Sequence, residues 1–146
     1  MRFFAATTCL LAAGIVCSID AQAARTFKAR LTPVPIDVAM QSTVAGSGTV
    51  SAVLTGRVLT VTGSFEGLRS PATTAQVHLG RKGVRGPAIL DLVVSNAARG
   101  VITGTLQLTA PQVDALDKEA LYIQLQSEKA PDGNLWGWLV KPEVKR

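Results

Sequence analysis

Beyond residue 48 the chain is a succession of short apolar runs rich in Val, Ile, Leu and Thr. In one run Leu59, Val61 and Phe65 alternate with polar or small residues, which is the period of a strand with one buried face. Gly, Pro, Asn or Asp bounds each run, and Thr55-Gly56 between two runs is a hairpin signal. The pattern predicts about eight strands, over residues 26–31, 48–54, 57–65, 74–79, 88–94, 101–108, 121–126 and 134–141.

Two segments interrupt the run of strands. Residues 32–35 read Thr-Pro-Val-Pro, which excludes a helix and disfavours a central strand. Thr109 is a good cap for a short helix that has Pro111 in its first turn and ends near Lys118. Many short strands separated by turn residues, with one short helix, predict a single all-β domain built as an antiparallel sandwich or barrel.

The N-terminus has the pattern of a secretory signal peptide. A basic Met1-Arg2 precedes an uncharged apolar run over residues 3–16, and Ala21-Gln22-Ala23 is a small-x-small cleavage site. We therefore expect residues 1–23 to be removed and the single mature domain, residues 24–146, to be periplasmic or secreted. The alternative is an uncleaved anchor, but the apolar run is shorter than the roughly 20 residues that a membrane-spanning helix needs.

Cleavage would change the available chemistry. Both cysteines, Cys9 and Cys17, lie in the predicted signal peptide, so the mature chain would have no thiol and no disulfide. Cysteine nucleophiles, thiolate metal sites and iron–sulfur clusters are then excluded. Charge hardly changes, because cleavage removes one base and one acid from a chain of 15 basic and 10 acidic residues with net charge +5. No aromatic residues interleave with the basic ones, so we do not expect nucleic-acid binding.

One stretch, residues 75–87, contains the only histidine, His78, followed by glycines at 80, 83 and 86. Downstream, residues 121–127 read Leu-Tyr-Ile-Gln-Leu-Gln-Ser, and residues 130–139 contain Pro-Asp-Gly-Asn-Leu-Trp. Together these segments resemble the CHRD domain, a repeat of chordin that also occurs in single secreted bacterial proteins. The resemblance covers about residues 26–139. It implies an immunoglobulin-like or superoxide-dismutase-like Greek-key β-sandwich.

The resemblance also implies a position for a metal. The family usually has histidines where this chain has Gln76 and Gln126, in addition to His78. Three imidazoles on neighbouring strands could hold copper or zinc, whereas glutamine amides are poor ligands for these metals. We therefore predict no metal and no cofactor, and a hydrogen-bonded polar cluster of Gln76, His78 and Gln126 instead. The alternative function left open is a metal-binding or copper/zinc superoxide-dismutase-like protein.

Catalytic patterns are missing from the sequence. No Gly-x-Ser-x-Gly elbow accompanies His78, and the glycines lack the Lys-Ser/Thr ending of a phosphate loop. We assign no catalytic residue and expect no activity of its own. The glycines at 80, 83 and 86 are expected to allow positive φ in a strand connection.

Two tryptophans provide the main signal for binding. Trp136 and Trp138 share one face of the last strand and Leu135 lies on the other, so a core under Leu135 would leave both indoles exposed. Exposed tryptophans are typical of contact hot spots. We predict a protein contact centred on them, with the charges of Arg81, Lys82 and Arg85 at its rim or at a second site. The alternative is that residues 33–38 or a terminal strand cover this face.

These observations favour a non-enzymatic binding module that is exported from the cytoplasm. Its expected partner is another extracytoplasmic protein, within a larger periplasmic complex such as a membrane-bound dehydrogenase. Contact with a membrane would be indirect, through that partner.

Overall fold

The computed structural model describes residues 23–143, so the predicted signal peptide, apart from Ala23, lies outside the described residues. Period-2 alternation produces strands in every predicted place, and the helix and a short 3₁₀ helix complete the elements. The strands are β1 (Arg25–Pro33), β2 (Ser47–Thr55), β3 (Val58–Glu66), β4 (Ala72–Leu79), β5 (Ala88–Val94), β6 (Gly100–Gln107), β7 (Leu121–Ser127) and β8 (Ala130–Trp138). The α-helix α1 is Ala110–Asp117, and the 3₁₀ helix is Val38–Met40.

The eight strands close into an antiparallel barrel in the order β1-β2-β3-β6-β5-β4-β7-β8. Apart from the closing pair of β1 with β8, two neighbouring pairs, β3 with β6 and β4 with β7, are not consecutive in the chain, so the chain crosses over twice. Closure depends on two short joins, each of two residue pairs: Val93 and Val94 join β5 to β6, and Thr32 and Pro33 join β1 to β8. The joins separate a first half (β1, β2, β3 and β6) from a second half (β5, β4, β7 and β8).

The inward residues of the strands form one main hydrophobic core. In β2 and β3 the buried residues recur at every second position, as the alternation predicts. Phe27, Ile123 and Leu135 are fully buried in this core and come from both halves. Each fully buried side chain of this kind contributes about 1.5–3 kcal/mol relative to exposure, so the core can stabilise the domain without a disulfide.

Helix α1 follows β6 and adds to the main core. Its cap is the predicted Thr109, whose hydroxyl accepts from Gln112 N while the Gln112 side chain accepts from Thr109 N. Leu116 is fully buried in the core and fixes the helix against the barrel. None of the helices within residues 23–143 is both long and apolar enough to cross a membrane.

Only β5 has the predicted bounds. Strand β1 runs through Thr32 and Pro33, where the sequence disfavours a central strand, and two other differences have a local cause. The hairpin loop between β2 and β3 is Gly56-Arg57, one residue later than predicted, and Gly56 has φ +64°. Glycine at the first loop position suits a type II′ turn. Strand β8 begins at Ala130 rather than at residue 134, because Gly133, with φ +133°, lets the strand continue where Pro131 suggests a loop.

Candidate functional site

The outer face of the second half carries aromatic and amide side chains in two rows. Backbone register places His78 opposite Tyr122 and Tyr122 opposite Trp138. It likewise places Gln76 opposite Gln124 and Gln124 opposite Trp136. The alternate residues on the same strands, Val77, Ile123 and Leu135, are fully buried in the main core. Both tryptophans therefore lie on the outer face, as the alternation predicts.

His78, Tyr122, Trp136 and Trp138 form a continuous aromatic cluster. The His78 ring stacks on Tyr122 with centroids 5.0 Å apart. The Tyr122 ring centroid lies 4.6 Å from that of Trp138 and 5.8 Å from that of Trp136, which it meets edge-on. The centroids of the two indoles are 4.7 Å apart. Offset and edge-to-face pairs of this kind each add about 0.5–1.5 kcal/mol beyond the burial of their area. The cluster is a second small core outside the sheet.

Residues 34–44, here called the covering segment, pack over this aromatic cluster. Val34 and Val44 are buried against Tyr122 and Trp136, and Met40 packs at the edge. The 3₁₀ helix of the segment is capped by Asp37, which accepts from Met40 N at 3.0 Å. The prediction that both indoles are exposed is therefore wrong, because Trp136 is only 9% exposed and Trp138 is partly buried against the same cluster. The alternative, a cover that begins near residue 33, describes the structure.

The cluster also holds the glycine loop, residues 80–86, at both ends. Trp138 Nε1 donates to the carbonyl of Gly80 at 2.8 Å. At the other end Gly86 N donates to the Tyr122 hydroxyl at 2.9 Å, and that hydroxyl donates to Gly86 O at 3.3 Å. The loop is thus fixed to the aromatic side chains through its backbone.

The three loop glycines have different roles. A Cβ at Gly86 would lie 1.7 Å from Leu79 O, and one at Gly80 would lie 2.6 Å from Val84 O. Both glycines therefore let the two ends of the loop approach closely at its neck, where residues 79 and 80 meet residues 84–86. Gly83 alone of the three has a positive φ, +81°. The expectation of positive φ at all three glycines is therefore correct for Gly83 and wrong for the other two.

His78 is a structural part of the loop neck. Its Nδ1–H donates to Gly86 O at 2.9 Å, because a carbonyl oxygen can only accept. The side chain is only 8% exposed, and within residues 23–143 Nε2 is buried without a hydrogen-bond partner. A buried polar atom without a partner costs about 1–3 kcal/mol, which stacking on Tyr122 helps to offset.

Gln76, His78 and Gln126 share the outer face but do not converge. Gln76 Nε2 donates to Asp91 Oδ1 at 2.9 Å, and His78 bonds to the glycine loop. Gln126 lies opposite Thr74, two rows away from His78. No hydrogen bond joins the three among the described residues. One imidazole and two separated amides do not fit a copper or zinc site that needs several nitrogen ligands. In the described part of the chain no three His, Cys, Asp or Glu side chains are grouped as metal ligands.

The three basic residues of the glycine loop have different surroundings, although all are exposed. Arg85 donates to Asp132 O at 3.0 Å, and its guanidinium lies 5.8 Å from the centroid of a Trp136 ring. Lys82 pairs with Glu119 at 2.9 Å. This hydrogen bond is the main cause that lowers the pKa of Glu119 below its ordinary value of 4.5. Arg81 has no salt bridge to any residue in the range 23–143.

Several residues of the site were missed by the sequence reasoning. Tyr122 contacts the other three rings and bonds to both the N–H and the carbonyl of Gly86, but the sequence patterns predict no role for it. Its position in an alternating strand, directly opposite Trp138, is the signal that could have revealed it. Val34, Val44 and Asp132 could not be found in this way, because they meet the cluster only through the path of the folded chain.

Comparison with known proteins gives one match. A family model described as the CHRD domain matches residues 27–139, which is more than half of the 146-residue chain. The match spans the region from β1 to the residue after β8, and so includes the aromatic cluster and the glycine loop. No curated protein and no solved structure matches the chain.

Proposed function

The chain belongs to the CHRD domain family, and we propose that this member is an exported, non-enzymatic protein-binding module. It binds another extracytoplasmic protein and serves as an accessory subunit of a larger periplasmic complex, such as a membrane-bound dehydrogenase. Contact with the membrane is through that partner. Export rests on the signal-peptide pattern of residues 1–23. We also propose that the two crossovers are the Greek-key connections implied by the family resemblance.

The observation that carries the proposal is that the glycine loop is held at both ends and exposed at its tip. Its backbone is bonded at Gly80 and Gly86 to the aromatic cluster, while its tip is exposed. A loop fixed before binding loses little conformational entropy on complex formation, which favours affinity. Trp136 and Trp138 therefore serve the contact mainly as its support, and the loop provides the surface.

The exposed side chains combine charge with apolar area. Arg81 and Arg85 flank Val84, which is 52% exposed. On the covering segment, which packs on the same cluster, Ile36 is 43% exposed and Val38 is 83% exposed. Arginine beside exposed apolar side chains is typical of protein contacts, where the charges speed association and the apolar residues supply binding energy.

A photocrosslinking experiment in the native host tests this surface. A photoreactive amino acid would replace Val84 in one variant and Thr62, on the outer face of the first half, in a matched control. We expect the Val84 variant to crosslink to one extracytoplasmic protein and the Thr62 control to give no such product. Mass spectrometry then identifies the partner. Equal products from both positions, or none from Val84, would contradict the proposal.

The charge of the loop gives a second measurement with the same partner. Arg81→Gln should slow association and reduce its dependence on salt, because an exposed charge acts on the encounter more than on the final contact. Arg57→Gln, in the β2–β3 hairpin, is the matched control and should leave the association rate unchanged. An equal effect of both substitutions would indicate attraction to overall positive charge rather than to this loop.

A further inference from the structure

The outer face of the first half carries a regular array of hydroxyl groups. Register places Thr49 opposite Ser64 and Ser51 opposite Thr62. Ser47 begins the same row on β2. We call these five residues the hydroxyl strip. Successive outward residues on one strand lie about 7 Å apart, so the strip presents hydroxyls at regular intervals in two directions.

The hydroxyl strip is concave. Two adjoining hollows, of about 920 Å³ and about 430 Å³, lie along it and share Lys28, Thr49, Val50 and Ser64 in their linings. The shape follows from side-chain length, because the floor has short hydroxyl residues while long side chains stand at the rim. The long rim side chains are Lys28, Arg30, Glu66 and Arg99.

The charge of the rim is mainly positive. Lys28 and Arg30 follow each other on the outward side of β1, and Arg99 precedes β6 on the other side of the larger hollow. Within residues 23–143 none of the three forms a salt bridge, and Glu66 is the one carboxylate in the lining of either hollow. Three unpaired cations above a neutral hydroxyl floor are complementary to a ligand that has both hydroxyl and acidic groups.

We infer that the hydroxyl strip and its cationic rim bind an acidic polysaccharide chain. Sugar hydroxyls match the Ser and Thr floor as donors and acceptors, and sugar carboxylates or sulfates match Arg30 and Arg99, which can bind them with two parallel hydrogen bonds. A protein contact needs an aromatic or large apolar anchor, and a single nucleic-acid strand needs aromatic rings for stacking. Among the residues that line the two hollows, Phe65 is the one aromatic residue and it is buried, while Val101 is exposed. The hollows therefore present no exposed aromatic ring.

Calorimetry with defined sugars tests the inference on the mature protein. The probes are an alginate hexasaccharide, which has carboxylates, a sulfated dextran oligomer of similar length, and uncharged maltohexaose. We expect the alginate or the sulfated probe to bind, and the stronger of the two to identify the acidic group. Arg30→Gln combined with Arg99→Gln should weaken that binding by about tenfold or more, through loss of charge-assisted hydrogen bonds. Arg81→Gln combined with Arg85→Gln, on the glycine loop, is the matched control and should change it less than about twofold.

Three results would overturn the inference. They are no binding of either acidic sugar, equally tight binding of inorganic polyphosphate, or an equal loss in the Arg81/Arg85 control. Thermal unfolding checks that each variant folds. Thr49→Val with Ser64→Ala tests the hydroxyl floor separately, because it should weaken sugar binding without changing the net charge. Because the two arginine pairs lie on different faces of the barrel, failure here leaves the proposed protein contact at the glycine loop to its own test.

Discussion

The two halves of the barrel have contrasting outer faces. On β4, β7 and β8 the outward side chains include an aromatic cluster beside amides, and the covering segment and the glycine loop both pack over the rings. On β1, β2 and β3 most outward side chains are Ser, Thr, Lys or Arg, and they stay exposed. A sheet face that exposes large apolar rings gains free energy when other chain covers it, whereas hydroxyls are already satisfied by water. The composition of each face therefore determines whether loops fold onto it.

The contrast also separates the two binding proposals physically. On the aromatic side the recognition elements are loops, and the sheet below acts as their support. On the hydroxyl side the sheet itself is the surface, and the register between its strands fixes the positions of the hydroxyl groups. Substitutions beneath the loops should therefore alter stability and loop order, while substitutions on the hydroxyl strip should alter binding alone.

The largest effect is expected at Trp136. Trp136→Ala should reduce the free energy of unfolding by about 3–5 kcal/mol, because the indole is 9% exposed and touches Tyr122, Trp138 and the covering segment. Thr62→Ala, on the exposed face of the first half, is the matched control and should stay within about 0.5 kcal/mol. Urea unfolding measures both. Similar losses for the two variants would remove the distinction between the faces.

The next effect is at the neck of the glycine loop. Gly86→Ala should destabilise the protein by about 3 kcal/mol, since its Cβ would lie 1.7 Å from Leu79 O. Gly83→Ala should lose only about 1 kcal/mol, because its Cβ meets nothing within 4 Å and the loss comes from φ +81° alone. Comparison of the unfolding midpoints tests the order. A larger loss at Gly83 would mean that turn conformation, not close approach, controls this loop.

A smaller effect is expected when a single hydroxyl is removed. Tyr122→Phe keeps the ring stack but leaves Gly86 N without its acceptor, so we expect a loss of about 1–3 kcal/mol. Hydrogen exchange should become faster at the Gly86 amide. The Gly80 amide, which donates to Ala120 O, is the internal control and should keep its protection. Unchanged exchange at Gly86 would show that the hydroxyl does not hold the loop.

The local patterns of the sequence were sufficient for the elements of the fold. Alternation located all eight strands, and Thr109 with Pro111 defined the start of α1, because a strand face and a helix cap are determined by residues close in the chain. Barrel closure could not be predicted in this way. It depends on Thr32 meeting Trp136, two residues about a hundred positions apart, whose pairing no local pattern specifies.

The candidate site, like the fold, could be predicted only where local patterns specify it. Alternation correctly put Trp136 and Trp138 on the face opposite the core, and the glycine pattern identified the loop. Their burial depends on Val34 and Val44, which approach the indoles only in the folded chain. The hydrogen-bond partners of Gln76 and His78 could not be predicted either, because Asp91 and Gly86 approach them only in the folded chain.

Metal binding is a further test, and the unmodified protein is expected to bind almost no copper or zinc. After dialysis against a weak chelator the mature protein should hold well under one equivalent of copper or zinc, since His78 and Gln126 lie two rows apart and Gln76 is bonded to Asp91. Gln76→His with Gln126→His should raise the affinity if the family arrangement is retained. Elemental analysis measures both. One tightly held equivalent in the unmodified protein would favour the metal-binding alternative instead.

The smallest effect concerns the ion pair between the glycine loop and the segment after α1. Lys82 lowers the pKa of Glu119, so this carboxylate contributes stability above its unfolded pKa and loses it as the pH falls through the lower folded value. Lys82→Gln should therefore reduce stability near neutral pH, by about 0.2–1 kcal/mol for so exposed a pair, and this effect should fade as the pH falls and Glu119 becomes protonated in the folded state. Lys118→Gln, which breaks the exposed pair with Asp114 on α1, is the control of equal charge change. Both should alter urea unfolding by similar small amounts, but only Lys82→Gln should speed exchange in the glycine loop. Equal exchange in the two variants would mean that the aromatic cluster alone holds the loop, and that Lys82 is as available to a partner as Arg81.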